Sequence, residues 1–137
     1  MPRREMIMLT VEKIYEARVR GDKQALSLFW APNATFRIVA SSGLGEVMAA
    51  GPSHPVEAVS ELVDQFRFHA ARIVDAVIDG NKAAVHMEIE VSAGDGPPET
   101  TELLDLWEFD EEDRVQSLQQ FIDTALATRL AAGYSPA

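Results

Sequence analysis

Cysteine is absent from this 137-residue sequence, which excludes a disulfide framework, a thiol nucleophile and a thiolate zinc site. Basic side chains are scarce: twelve Lys and Arg stand against 22 Asp and Glu, for a net charge of −10. A chain of that sign repels phosphate backbones and lacks the basic stripe that nucleic-acid binding requires, so neither nucleic acid nor an anionic membrane is an expected partner. Long apolar runs are missing as well, and nothing approaches the roughly 20 residues of a transmembrane helix. Met6 to Leu9 is far too short for a signal-peptide core. The expected location is the cytoplasm. There is no Gly-rich phosphate loop and no Gly-x-Ser-x-Gly elbow, which leaves phosphoryl transfer and serine hydrolysis without support. His54 and His69 are isolated, and His86-Met87-Glu88 offers two ligands without a third nearby. No metal and no cofactor are expected.

What the chain has is the composition of one ordinary domain, 47% hydrophobic and 25% charged. A domain of this size buries roughly two thirds of its unfolded surface and needs no staple. Residues 1–132 are expected to form it, with 133–137 as a loose tail.

Ile7, Met8, Val11, Ile14 and Tyr15 recur at helical spacing and Gly21 follows as a stop, predicting a helix over about 5–20. Asp22 can cap a second helix in which Ala25, Leu26, Leu28, Phe29 and Trp30 make an apolar surface, ending before the turn signal Pro32-Asn33. Ala34 to Ala40 reads as a strand. Ser41 to Pro55, with Gly43, Gly45, Gly51, Pro52 and Pro55, reads as a loop. Val56, Val59, Leu62, Val63 and Phe66 then define a third helix, capped by Ser53 with Glu57 in its first turn.

After Phe66 the period changes from 3.6 to 2. Ala71 to Ile78 alternates up to the hairpin signal Asp79-Gly80-Asn81. Val85 to Val91, Thr100 to Phe109 and Val115 to Ile122 continue a meander, and Thr124 to Ala132 can close the chain as a short helix. Helices first and a long-stranded meander afterwards is the pattern of an α+β domain with a mostly antiparallel sheet.

On the meander, Asp105 shares a strand face with Leu103, Trp107 and Phe109, an apolar setting for a carboxyl group. His86 and Glu88 share the face opposite Val85, Met87 and Ile89, and line either a polar pocket wall or an exposed outer face. Tyr15 lies on the apolar stripe of the first helix, where a buried hydroxyl seeks a partner. Trp30, Phe36, Trp107 and Phe109 are candidate walls of a substrate pocket. Arg37 and Arg72 could each clamp a ligand carboxylate from a strand or stand at a solvated rim.

The order of these elements, with Gly21-Asp22, Ala31-Pro32-Asn33-Ala34-Thr35 and Asp105-Leu106-Trp107-Glu108-Phe109 before a turn and a last strand, resembles the SnoaL-like branch of the nuclear-transport-factor-like superfamily. The resemblance covers almost the whole chain and implies a cone: three N-terminal helices packed in the concave face of a bent, mostly antiparallel sheet, with a pocket at one end. It also implies dimers through the sheet's outer face. Ketosteroid isomerases, polyketide cyclases, epoxide hydrolases, dehydratases and non-catalytic binding domains share that fold, so fold does not give function.

In the isomerase pattern an aspartic acid on the penultimate strand stays protonated and donates to an enolate, and Asp105 is similar in position. The isomerase base falls near Ile38, which is not a carboxylate, and its helix-one tyrosine falls at Ile14, next to Tyr15. In the epoxide-hydrolase pattern the nearest set is His86, Glu88 and Asp123, with Phe36 and Ile38 where water-holding residues would stand. A cyclase needs one acid/base group in a dry pocket, for which His86, Glu88 and Asp105 are candidates. The resemblance therefore implies a cofactor-independent isomerase, cyclase or dehydratase acting on a small apolar carbonyl compound, with Asp105, His86, Glu88 and Tyr15 as catalytic candidates. The alternative is a non-catalytic ligand-binding or dimerisation module; a further one buries a partner against Val85, Met87, Ile89 and Val91 with Leu104 and Leu106.

Overall fold

In the computed structural model, which describes residues 3–39, 47–49 and 63–133, helix α1 (Arg3–Arg20) buries Ile7, Val11, Ile14, Tyr15 and Ala17 along one face. It stops where the sequence says it should. Gly21 takes a φ of 68°, a conformation open to glycine at little cost. Its N–H donates to the Arg18 carbonyl at 3.2 Å while the Asp22 N–H donates to that of Ala17 at 2.9 Å, the paired bonds of a Schellman cap. The Asp22 carboxylate then accepts from the Ala25 N–H at 3.0 Å and starts α2 (Lys23–Ser27).

That helix is shorter than its apolar composition suggests. Leu28 is 75% exposed, and Trp30 opens the first strand, β1 (Trp30–Val39), instead of closing the helix. The cause is tertiary: the Phe29 carbonyl accepts from the Val115 N–H at 2.8 Å, drawing this segment into the ladder of the last strand. Pro32 falls where the register of β1 shifts, between Trp30 and Thr35, as a residue without an N–H requires.

Within the stretch expected to be loop, Val47–Ala49 forms β2, an antiparallel edge strand on β1. Of the expected third helix, residues 63–65 are helical, with Val63 and Phe66 buried; Ser53, His54, Val56, Glu57, Val59 and Leu62 lie outside the described residues, as does the tail from 134 onward.

The meander comprises β3 (Arg67–Asp79), β4 (Lys82–Ser92), β5 (Glu99–Phe109) and β6 (Val115–Phe121). Gly80, at a φ of 60°, sits first in the two-residue loop between β3 and β4, where hairpins of the II′ kind place glycine. The sheet order is β2-β1-β6-β5-β4-β3. All pairs are antiparallel except β1 with β6, the first long strand and the last, which run parallel. Register shifts in β3, at Phe68/Ala70 and Ile73/Asp75, bend it where α1 packs against it. Helix α3 (Thr124–Gly133) follows, capped by Asp123, whose carboxylate accepts from the Leu126 N–H at 3.1 Å.

Alternation divides the sheet cleanly. Val85, Met87, Ile89 and Val91 on β4 and Leu103, Asp105, Trp107 and Phe109 on β5 face the helices and are buried. Leu104 and Leu106 lie on the other face, each 37% exposed. The six apolar residues expected to bury one partner are therefore split between the two faces, because Val85 is opposite Asp105 and His86 opposite Leu104.

Leu28 and Phe109 test this division. Phe109→Ala removes a ring that is 1% exposed and should cost about 3–5 kcal/mol, whereas Leu28→Ala should stay within about 0.5 kcal/mol. Urea denaturation of both variants measures the difference, and comparable losses would contradict the early end of α2.

Candidate functional site

The helical stripe of α1 continues past its apolar part. Tyr15 and Arg18, three residues apart and so on one face, look with Ile14 into a cavity of about 60 Å³ lined also by Leu26, Trp30, Phe36, Val63, Phe68, Asp105, Trp107, Leu118 and Gln120. A second lobe of about 40 Å³ shares Arg18, Phe68 and Gln120 with the first and is otherwise walled mainly by apolar side chains, Ile38, Phe66, Ile89 and Leu103 among them.

Asp105 is the chemical centre of the first lobe. It is 0% exposed, and the Tyr15 hydroxyl donates to its Oδ2 at 2.6 Å. The Trp107 Nε1–H in turn donates to the Tyr15 oxygen at 3.3 Å, and the two rings meet edge to face at 5.9 Å. Oδ1 has no hydrogen-bond partner among the described residues. Gln120, its register partner on β6, stands close enough to favour the ionised form while falling outside hydrogen-bond geometry.

Burial pushes the Asp105 carboxyl up to about 7, because an apolar wall disfavours the charged form. Tyr15, Gln120 and the Arg18 charge pull the other way and fall short. The Tyr15 phenol is held well above its ordinary range, first by burial and then by the adjacent carboxylate. Burial also lowers the Arg18 guanidinium to about 10, against the attraction of Asp105 and Asp64.

Of the residues singled out in the sequence, Asp105, Tyr15, Trp30, Phe36 and Trp107 come together around this cavity. Phe109 does not line it; it stacks behind Trp107 at 6.2 Å. His86 and Glu88 do not join the site either. They project from the outer face, where His86 Nε2 meets Glu102 at 2.7 Å and Glu88 meets Arg72 at 3.5 Å. The pleat forces this, since Val85 and Met87 take the inner face. Arg37 alternates with the cavity-lining Phe36 and likewise faces outward. Ile38 is buried in the second lobe, so the place of an isomerase base is apolar. Asp123 caps α3. His69 bonds Ser92 at 2.8 Å, and no cluster of three metal-ligating side chains occurs among the described residues.

Arg18 and Gln120 were not anticipated. Both had a signal: Arg18 continues the stripe of Val11 and Tyr15 at helical spacing, and Gln120 alternates with the buried Leu118 on the inner face of β6.

A family model described as the SnoaL-like domain matches residues 11–118. No curated protein matches at the level of sequence. Among solved structures, a putative isomerase from Bacillus subtilis superposes with a TM-score of 0.81 at 16% identity, covering 98% of each chain. AusH from Aspergillus nidulans gives 0.72 at 23%, covering 90% of this chain and 88% of its own. TerC, co-crystallised with polyporic acid, gives 0.72 at 16%, covering 92% and 98%. At these identities the likeness establishes the fold.

The acid at the centre makes a stability prediction. With a pKa of about 7 in the folded protein against 3.8 for an unperturbed aspartate, folding takes up a proton between those limits. The contribution is complete below about pH 4 and is lost as pH rises to about 7. Asp105→Asn should therefore be more stable than the parent at pH 8, by on the order of a few kcal/mol, and nearly equal to it at pH 4. Thermal melts across that range check it; parallel profiles would sink the assignment.

Proposed function

We propose that this chain, which belongs to the SnoaL-like domain family, is a cofactor-independent acid/base catalyst of the isomerase, cyclase or dehydratase type, acting on a small apolar carbonyl compound. The observation that carries this reading is a fully buried carboxyl group whose one oxygen is held by Tyr15 and whose other has no hydrogen-bond partner among the described residues. A group near neutrality serves as either acid or base at working pH. Ionised, Asp105 takes a proton from carbon beside the substrate carbonyl; protonated, it returns one to carbon or oxygen. The Tyr15 hydroxyl donates to the ionised carboxylate, before it takes the proton and after it has returned it. The share of the chemistry expected of His86 or Glu88 falls to Asp105 alone, since both stand on the outer face.

That one carboxyl is left to work alone also favours a second reading, a ligand-binding module without turnover. Ile38 in place of a base is compatible with it. TerC, which has this fold and was co-crystallised with polyporic acid, supports a small organic ligand under either reading.

Solvent exchange distinguishes the two. A panel of β-diketones and β,γ-unsaturated ketones in D2O, followed by proton NMR, should show catalysed loss of the α-proton for at least one compound. Asp105→Asn should slow it by about 10²–10⁴-fold and Tyr15→Phe by less. Exchange unchanged by Asp105→Asn would overturn catalysis by this group, and exchange of no compound would favour the binding module.

We further propose a cytoplasmic homodimer. The outer face exposes Val77 (65%), Leu104 and Leu106 (37% each) and Phe121 (39%), apolar area of the kind a second copy covers. Replacing Leu104 and Leu106 by Glu should convert a dimer to monomer in sedimentation without loss of helical or sheet signal. A parent protein that sediments as a monomer would contradict the pairing.

A further inference from the structure

The cation at the junction of the two lobes has no role in moving a proton. Arg18 is held in place by its own bonds: Nη1 donates to the Val63 carbonyl at 3.3 Å and Nη2 to that of Phe66, and the guanidinium lies 4.0 Å over the Phe68 ring. A guanidinium carries five N–H donors in a rigid fork, and among the described residues these two carbonyls are its only hydrogen-bond partners, which leaves donors to serve a ligand. Among the acids near it, Asp64 pairs with Lys23 at 2.7 Å, Asp105 gives Oδ2 to Tyr15 and keeps Oδ1 without a partner among the described residues, and of the two carboxylates on the wall of the second lobe Glu102 meets His86 at 2.7 Å and Asp123 caps α3. Arg18 borders both lobes, and Gln120 offers its amide at the same junction. Most of the remaining wall is apolar, so a neutral hydrocarbon ligand would leave the fork unanswered.

We propose that the ligand of this site is an elongated, largely apolar acid that spans both lobes, its carboxylate or enolate oxygen on Arg18 and its reacting end beside Asp105. This rests on the reading that the Asp105 cavity is the ligand site and adds the chemical class of what it takes. The anion completes the guanidinium's hydrogen bonds where water is largely excluded, and charge-assisted bonds there are stronger than neutral ones. It also offsets the Arg18 charge that lowers the Asp105 pKa. Ligand binding therefore makes Asp105 a stronger base at the moment it is needed.

Trp30 and Trp107 line the cavity and report binding by their fluorescence. The test titrates cinnamate and its neutral counterpart cinnamamide into the parent protein, Arg18→Met, Arg18→Lys and Asp105→Asn. The parent should prefer cinnamate by at least about tenfold, as a hydrogen bond to a charged group implies. Arg18→Met should abolish the preference and Arg18→Lys should keep part of it, which guards against a Met variant that merely loosens the Val63 and Phe66 carbonyls. Asp105→Asn should keep or enlarge the preference. Equal binding of the two probes, a preference that survives in Arg18→Met, or binding of neither probe overturns the proposal. Proton exchange in Asp105→Asn reads the acid/base function separately, so either idea can fail while the other stands.

Discussion

One hydrogen bond organises this molecule: the Tyr15 hydroxyl on the first helix donating to Asp105 on the penultimate long strand, 90 residues away in sequence. An isolated ionised carboxylate in an apolar interior is costly by many kcal/mol, and a protein relieves that by pairing the group or by keeping it protonated. Here both remedies are partial. Tyr15 satisfies one oxygen, Arg18 supplies an attracting charge without a direct ion pair among the described residues, and burial still wins, leaving the group balanced near neutral pH. The rotation of α1 about its axis follows from the same contact, because the face that brings Tyr15 to Asp105 also seats Ile7, Val11 and Ile14 on the sheet.

The cavity inherits its electrostatics from that balance. A desolvated acid and a desolvated cation stand in one apolar enclosure, each lessening the perturbation of the other. Either alone would be a liability for stability. Together they make a site that is uncharged on one side when Asp105 is protonated and cationic on the other, a polarity matched by a molecule with an acidic end and an apolar body.

Much of this was legible in the order and period of the residues. The alternation around Asp105 placed it on the apolar face with Leu103 and Trp107, and Gly21 and Gly80 marked turns that the backbone takes with positive φ. The helical stripe placed Tyr15 inward but did not say whether its hydroxyl would find a partner. Period alone cannot tell which face of a strand meets the helices, which is why His86 and Glu88 remained candidates until the register of β4 on β5 settled them outward. Local composition places Trp30 in a helix because it does not see the Val115 N–H, which captures the preceding carbonyl from the far end of the chain. Arg18 escaped notice for the opposite reason. A cation at the end of a helix is ordinarily a solvated, dipole-complementing residue, and only the Phe68 ring and the Val63 and Phe66 carbonyls show that it turns inward.

The central claim is that Asp105 exists in both protonation states at neutral pH inside an apolar cavity. Carbon-13 NMR of aspartate-labelled protein, with the Asp105 carboxyl resonance assigned by its loss in Asp105→Asn, measures this directly. The account predicts a titration midpoint about 7. A midpoint in the ordinary carboxylate range, about 4, would mean that water reaches the group and that the buried acid/base centre described here does not exist.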